Sequence, residues 1–150
     1  MFKSLMAAAV LSLVALNSAQ AQEPPRSPSE LAQAFERHFN AADLEGLGTL
    51  YGKDSLFVPA PGTPLQEPAQ IRAALAQFMA AGLPIRFSLR QVYQADDIAL
   101  VVLDWTIKGT GADGKPVDMA GTGADVMKRQ ADGTWIYAID NPFGVAQPAR

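Results

Sequence analysis

The 150-residue sequence contains no cysteine. It therefore forms no disulfide, carries no thiolate nucleophile and offers no thiolate ligand to zinc. Its one histidine, His38, rules out a multi-histidine metal site within one chain. The calcium-loop pattern is missing too, so no metal site is expected. Cations are scarce, 12 Lys and Arg against 15 Asp and Glu, and they form no block. With a formal charge of −3, nucleic acid and anionic membrane surfaces are poor partners. Gly109-Thr110-Gly111 lacks the glycine, lysine and helix of a phosphate-binding loop, and no G-x-S-x-G elbow occurs. What remains is a globular composition, 49% hydrophobic and 18% charged, which argues against disorder.

The first residues have the pattern of an export leader. Lys3 supplies the positive start, Leu5 to Leu16 is an apolar run, and Ala19-Gln20-Ala21 is an A-x-A cleavage site. The run is too short to span a hydrocarbon core of about 30 Å comfortably. An uncleaved interfacial anchor is the alternative. Residues 1–21 are thus read as a signal peptide, 22–28 as a polar, proline-rich lead-in, 29–144 as one domain and 145–150 as a tail. No stable membrane insertion is expected after cleavage. Export means the periplasm in a Gram-negative source and secretion otherwise. ATP and NAD(P)H are not readily supplied there, so no cofactor is expected.

Ser27, Pro28 and Glu30 form a capping box for a first helix, whose apolar stripe holds Leu31, Ala34, Phe35, Phe39 and Ala42. His38 falls near the middle of that stripe. Asp43 caps a shorter helix carrying Leu44, Leu47, Leu50 and Tyr51, which Gly46 and Gly48 weaken. Leu56-Phe57-Val58 reads as a short strand. A third helix runs from Pro68 with Ile71, Leu75, Phe78 and Met79 on one side, and Gly82 and Pro84 stop it. The period then changes to two. Strands are expected over Ile85 to Tyr93, Ile98 to Ile107, Val117 to Lys128 and Trp135 to Ile139. Ile98 to Leu103 is apolar on both faces, which implies cover on both sides of the sheet. Gly121 and Gly123 suggest a bulge or bend. Helices followed by an antiparallel meander make an α+β fold. A strongly bent, mainly antiparallel sheet with three helices over its concave face would be cone-shaped and hollow.

The order and spacing of several short segments resemble the nuclear-transport-factor-2-like superfamily, which includes SnoaL-like cyclases, ketosteroid isomerases and scytalone dehydratase. They are Ala42-Asp43-Leu44-Glu45 with Leu50-Tyr51, Asp54, Ile71-Arg72, Gly133-Thr134-Trp135 and Ile139-Asp140-Asn141-Pro142. The resemblance spans nearly all of Leu31 to Gly144 and implies the cone and its cavity. Against the ketosteroid isomerase pattern, Phe35 stands where that enzyme has a tyrosine. Pro59 stands at the base carboxylate, and Asp125 at the hydrogen-bonding acid. Proline cannot abstract a proton, so that isomerase mechanism is not expected.

Asp125 and Asp140 are the leading catalytic candidates. If Asp132-Gly133 is a two-residue turn, Ala131 faces Thr134 and Asp125 faces Asp140 across the ladder. Their Cβ atoms would then lie about 4.5–5.5 Å apart on one face. In an apolar site two such carboxyls cannot both ionise easily, and a shared proton suits acid–base work. A longer turn would shift the register by one and put them on opposite faces. His38 is either a third acid–base group facing the cavity or a neutral core histidine bonded to a carbonyl or to Tyr51. Tyr51, Trp105 and Phe35 are candidate ligand contacts, with core or interface packing as the alternative. Asp104 must face away from Trp105. Arg86 and Arg90 read as a solvated edge or an anion clamp.

Three functional readings stay open. One is an exported module that binds a small, largely apolar ligand or pairs as a homodimer. Another is a cofactor-free acid–base enzyme of the SnoaL-like cyclase, isomerase or dehydratase type. The last is an interaction domain whose cavity is filled by Phe35, Phe39, Phe57 and Phe78.

Overall fold

The computed structural model describes residues 23–148. The expected leader and the last residues of the expected tail lie outside the described residues. Helix α1 is Pro28–Asn40, α2 is Leu44–Thr49 and α3 is Pro68–Met79. The strands are β1 Tyr51–Phe57, β2 Ile85–Ala95, β3 Ile98–Thr110, β4 Pro116–Arg129 and β5 Trp135–Asp140. No helix among the described residues is long and apolar enough to cross a membrane.

Local chemistry starts each helix. Ser27 Oγ accepts from the Glu30 N–H at 3.2 Å, and Pro28 occupies the first turn, where its missing N–H costs nothing. The Glu30 carboxylate accepts from the Arg26 N–H at 2.7 Å, one residue before the capping-box position. Asp43 caps α2 by accepting from Gly46 N–H at 2.8 Å. Tyr51 does not belong to α2. It opens β1, because its backbone pairs with Tyr137 of β5, a long-range partner that helical spacing does not reveal.

The sheet order is β1-β5-β4-β3-β2, with β1 parallel to β5 and every other pair antiparallel. It is a curled, unclosed, mostly antiparallel sheet with three helices, the α+β architecture expected. The breaks in its ladder are not at the expected glycines. β3 and β4 pair without interruption from Ile98↔Lys128 to Thr110↔Pro116, through Gly121 and Gly123. The shifts fall at Arg90 in β2, between Tyr51 and Leu56 in β1, and at Ala138 in β5. Each extra residue bends its strand. Gly121 serves a different need: a Cβ there would lie 2.7 Å from the Trp105 indole, which takes the space a side chain would fill.

The core lies between the concave face and α1 and α3. Leu31, Leu47, Leu75, Val101, Ile107, Met127, Trp135 and Tyr137 are almost wholly buried there. The convex face is left uncovered by the described residues. Tyr93, Leu100, Val126, Ile139 and Leu56 pair in succession across all five strands. Tyr93 is 58% exposed and Leu100 41%. The two-sided apolar pattern of β3 thus has cover on one side only in the single chain.

Candidate active site

At the centre of the concave face is a small hollow. Its walls are Phe35 from α1, Phe57 from β1, Phe78 from α3, Phe87 from β2 and Trp105 from β3. Asp125 from β4 and Asp140 and Tyr137 from β5 also line it. Its volume is about 30 Å³, room for a water or two and no more. Phe35, Phe39, Phe57 and Phe78 all border it, so the expected filling of the cone by phenylalanine is largely realised. The rings make a contact chain. Phe35 stacks on Phe87 at 5.5 Å, and Phe78 meets Phe57 and Trp105 edge-on at 6.1 and 6.3 Å.

Asp125 and Asp140 reach this hollow together. Val126 pairs with Ile139, and Ala124 N–H donates to Asn141 O at 3.0 Å, which brackets the two aspartates opposite one another. The route to that register differs from the one expected. Arg129 pairs with Trp135, so the turn spans residues 130–134 rather than two residues. Asp132 builds it by accepting from the Thr134 N–H at 2.9 Å and Oγ1–H at 2.7 Å. That turn alone would put Asp140 on the convex face. The unpaired Ala138 restores the parity.

Both aspartates are buried, at 3% and 6% exposure. Asp125 Oδ1 accepts from the Asn141 N–H at 2.9 Å. Asp140 Oδ2 accepts from the Tyr51 hydroxyl. Among the described residues no Lys, Arg or His lines the hollow. Burial, and then the charge of Asp140, push the Asp125 carboxyl well above the usual range. Burial raises Asp140 to about 7, against the pull of the Tyr51 hydroxyl. Burial and the nearby acids likewise hold the Tyr51 and Tyr137 phenols above their ordinary value. The hollow therefore disfavours charge on both neighbouring carboxyls, most of all through their burial.

The SnoaL-like domain model matches residues 32–138. The chain belongs to this family. Solved structures share the fold at low identity. The SnoaL-like chain is similar to a ketosteroid isomerase-like protein from Erwinia carotovora atroseptica SCRI1043, at 22% identity and TM-score 0.65, covering 75% of this chain and 88% of that one. It is also similar to a conserved protein from Planctomyces limnophilus DSM 3776, at 20% identity and TM-score 0.67, with the same coverages. A search of curated proteins gives no match.

The remaining candidates of this SnoaL-like domain separate. Phe35 and Trp105 line the hollow. Trp105 is fixed by its Nε1–H, which donates to Pro142 O at 2.7 Å. Tyr51 contributes its hydroxyl to Asp140, while its ring lines a separate groove between α2 and α3. His38 is not with the aspartates. The chain reverses at Ala41 and Ala42, which brings Asp43 back over α1, and His38 Nδ1–H donates to Asp43 Oδ2 at 2.8 Å. It lies in a surface groove with Thr134 and the lead-in. His38 thus occupies the edge of the helical stripe that faces α2, not the part facing the sheet. Arg86 and Arg90 form no clamp. Arg86 pairs with Glu36, and Arg90 with Asp104 on the convex face.

Sequence reasoning missed two contributors. Phe87 lines the hollow from β2, a position that strand alternation from Ile85 already indicated. Asn141 holds Asp125 through its backbone N–H, which no residue identity signals. Among the described residues no cluster of three or more His, Asp or Glu is arranged to hold a metal ion.

Proposed function

We propose that this SnoaL-like domain binds a small, largely apolar molecule with a neutral carbonyl or hydroxyl group seated on Asp125 and Asp140, and that the pair moves a proton on it. One observation carries the reading: two buried, adjacent carboxyls face an apolar hollow that no cationic side chain among the described residues lines. Such a pair costs stability that apolar side chains of similar volume would not, and perturbed carboxyls in a cleft mark sites of chemistry. The two environments divide the roles. The Tyr51 hydroxyl stabilises charge on Asp140, so Asp140 is the base. Asp125 keeps its proton, with Oδ1 occupied by the Asn141 N–H and Oδ2 left to donate to the ligand oxygen. On a carbonyl compound, Asp125 protonates the oxygen while Asp140 removes the α-proton, and the enol so formed is the product of the half-reaction.

An organic ligand does not fit the hollow as it stands, so binding includes displacement of a wall side chain. NMR titration of the carboxyl carbons tests the reading. Values well above 4 for both aspartates support it, and ordinary values near 4 remove it. Native mass spectrometry of protein from its own host would identify a retained ligand. N-terminal sequencing of the same material tests export, with a start at Gln22 expected.

A second reading concerns assembly. The row Tyr93, Leu100, Val126, Ile139 and Leu56 presents an apolar stripe across the convex face. A second copy related by a two-fold axis would cover it with the same stripe. Analytical ultracentrifugation at micromolar concentration tests this, and a clean monomer removes it.

A further inference from the structure

The hollow has a neighbour. A larger apolar groove, of about 670 Å³, runs along the outside of α3 against the start of β4. Ala74, Val117, Met119 and Phe143 line it, together with Phe78 and Trp105. The last two also wall the hollow. The acid floor and the outer groove are therefore separated by two rings.

Those rings differ in freedom. Trp105 is 5% exposed, is hydrogen-bonded to Pro142 O and packs directly against Gly121, so it has nowhere to go. Phe78 is half-buried, meets Phe57 and Trp105 edge-on, and sits in the last turn of α3. The backbone just beyond it, at Gly82, has open space around it and a positive φ of 63°.

We infer that Phe78 is the door between the two spaces, and that it admits to the acid pair a ligand long enough to leave its apolar chain in the outer groove. The inference rests on the proposed seating of a neutral oxygen at the acid pair, and it adds the length of the ligand and the residue that admits it. When the Phe78 ring turns into the groove's edge, the hollow and the groove become one cavity with a polar end and an apolar end. The polar end rejects an anionic head, because no Lys, Arg or His among the described residues lines it and two acids already occupy it. The apolar end offers little to a charged tail: among the described residues Asp118 is the one charged side chain on the groove, and it is paired with Lys108 at 2.9 Å. A neutral head on an alkyl or aryl chain satisfies both ends.

The test uses 2-butanone, 2-heptanone and 2-decanone as probes of the purified protein, labelled on methionine and alanine methyls and on aspartate carboxyls. Affinity should tighten about two- to fourfold for each added methylene, as burial of a chain requires. All three probes should move the Asp125 carboxyl signal, and only the longer two should move the Met119 and Ala74 methyls. Phe78→Ala should raise the association rate for 2-decanone at least tenfold. Phe78→Leu should act in the same direction if the alanine variant does not fold. Equal affinity for all three probes, with the carboxyl signal shifted and Met119 unmoved, would overturn the elongated ligand but leave the acid-pair seating intact. Met119 shifts without a carboxyl response would overturn both, as would absence of saturable binding by any probe. An association rate unchanged in the folded Phe78 variants would overturn the door.

Discussion

Asp125 and Asp140 share one face of the sheet because two register effects cancel. The residue 130–134 turn displaces β5 by one position, and the unpaired Ala138 displaces it back. The first effect alone would expose Asp140 to solvent on the convex side. The bulge thus creates the acid pair, and it does so beside the hollow, where a re-aimed side chain matters most.

A buried pair of raised carboxyls makes stability depend on pH in a definite direction. Each group is protonated more readily in the folded than in the unfolded chain. Its stabilising contribution is complete below the unfolded pKa, near 4, and is lost as pH rises through the folded value. For Asp140 that window runs from about 4 to about 7. Urea unfolding should show stability falling across it, by roughly 2–4 kcal/mol from Asp140. Asp140→Asn keeps an acceptor for the Tyr51 hydroxyl and has no charge to bury. That variant should flatten the profile and exceed the wild type above pH 7. An unchanged slope would mean that Asp140 is not the group responsible.

Tyr51→Phe probes the asymmetry of the pair. The hydroxyl donates to Asp140 and favours its charged form. Its removal should raise the Asp140 pKa above about 7 and make the two acids more alike. Carboxyl-carbon NMR reads this directly. A fall in the Asp140 value would reverse the assignment of base and acid.

Legibility in the sequence follows the range of the interactions involved. The helix starts were readable because the cause is local: Ser27 and Pro28 for α1, Asp43 for α2, Pro68 for α3. The β2–β3 hairpin was readable for the same reason, since Asp96 adopts a positive φ of 51° between paired Ala95 and Ile98. β1 was not. Its first residue is set by pairing with Tyr137, 86 positions away in the chain, and Ser55 bridges its irregular stretch by donating to Tyr137 O at 2.5 Å. The acid pair was reached through a turn that does not exist, with a compensating bulge that no alternation signals. Helical angle alone places His38 in the core, but a wheel does not show which neighbour covers each edge. Here the neighbour is α2, and Asp43 takes the imidazole.

Gly121 should be intolerant of any side chain. An added Cβ meets the indole at 2.7 Å, and Trp105 is held by Pro142 O and by the packed hollow. Gly121→Ala should destabilise by about 2–3 kcal/mol, an overpacking cost. It should also change the near-ultraviolet circular dichroism, because the indole must leave its fixed orientation. A neutral substitution would show that Trp105 is freer than its contacts indicate, and would move the role of door from Phe78 to Trp105.

Gly46→Ala separates packing from helix propensity by its sign. Gly46 lies inside α2, where propensity alone favours alanine by about 1 kcal/mol. The structure demands the opposite. A Cβ at residue 46 would sit 2.1 Å from His38 Nδ1 and 2.2 Å from Asp43 Oδ2, the two atoms that hold the reversal between α1 and α2. The variant should lose about 1–3 kcal/mol in chemical denaturation. In a His38→Ala background half the obstruction is gone, so the same substitution should cost measurably less, with a coupling of about 1 kcal/mol between the two sites. Additive losses would mean that the imidazole does not rest on Gly46. The cycle bears on function as well, because a His38 held there by Asp43 and packed on α2 cannot also serve the aspartates in the hollow.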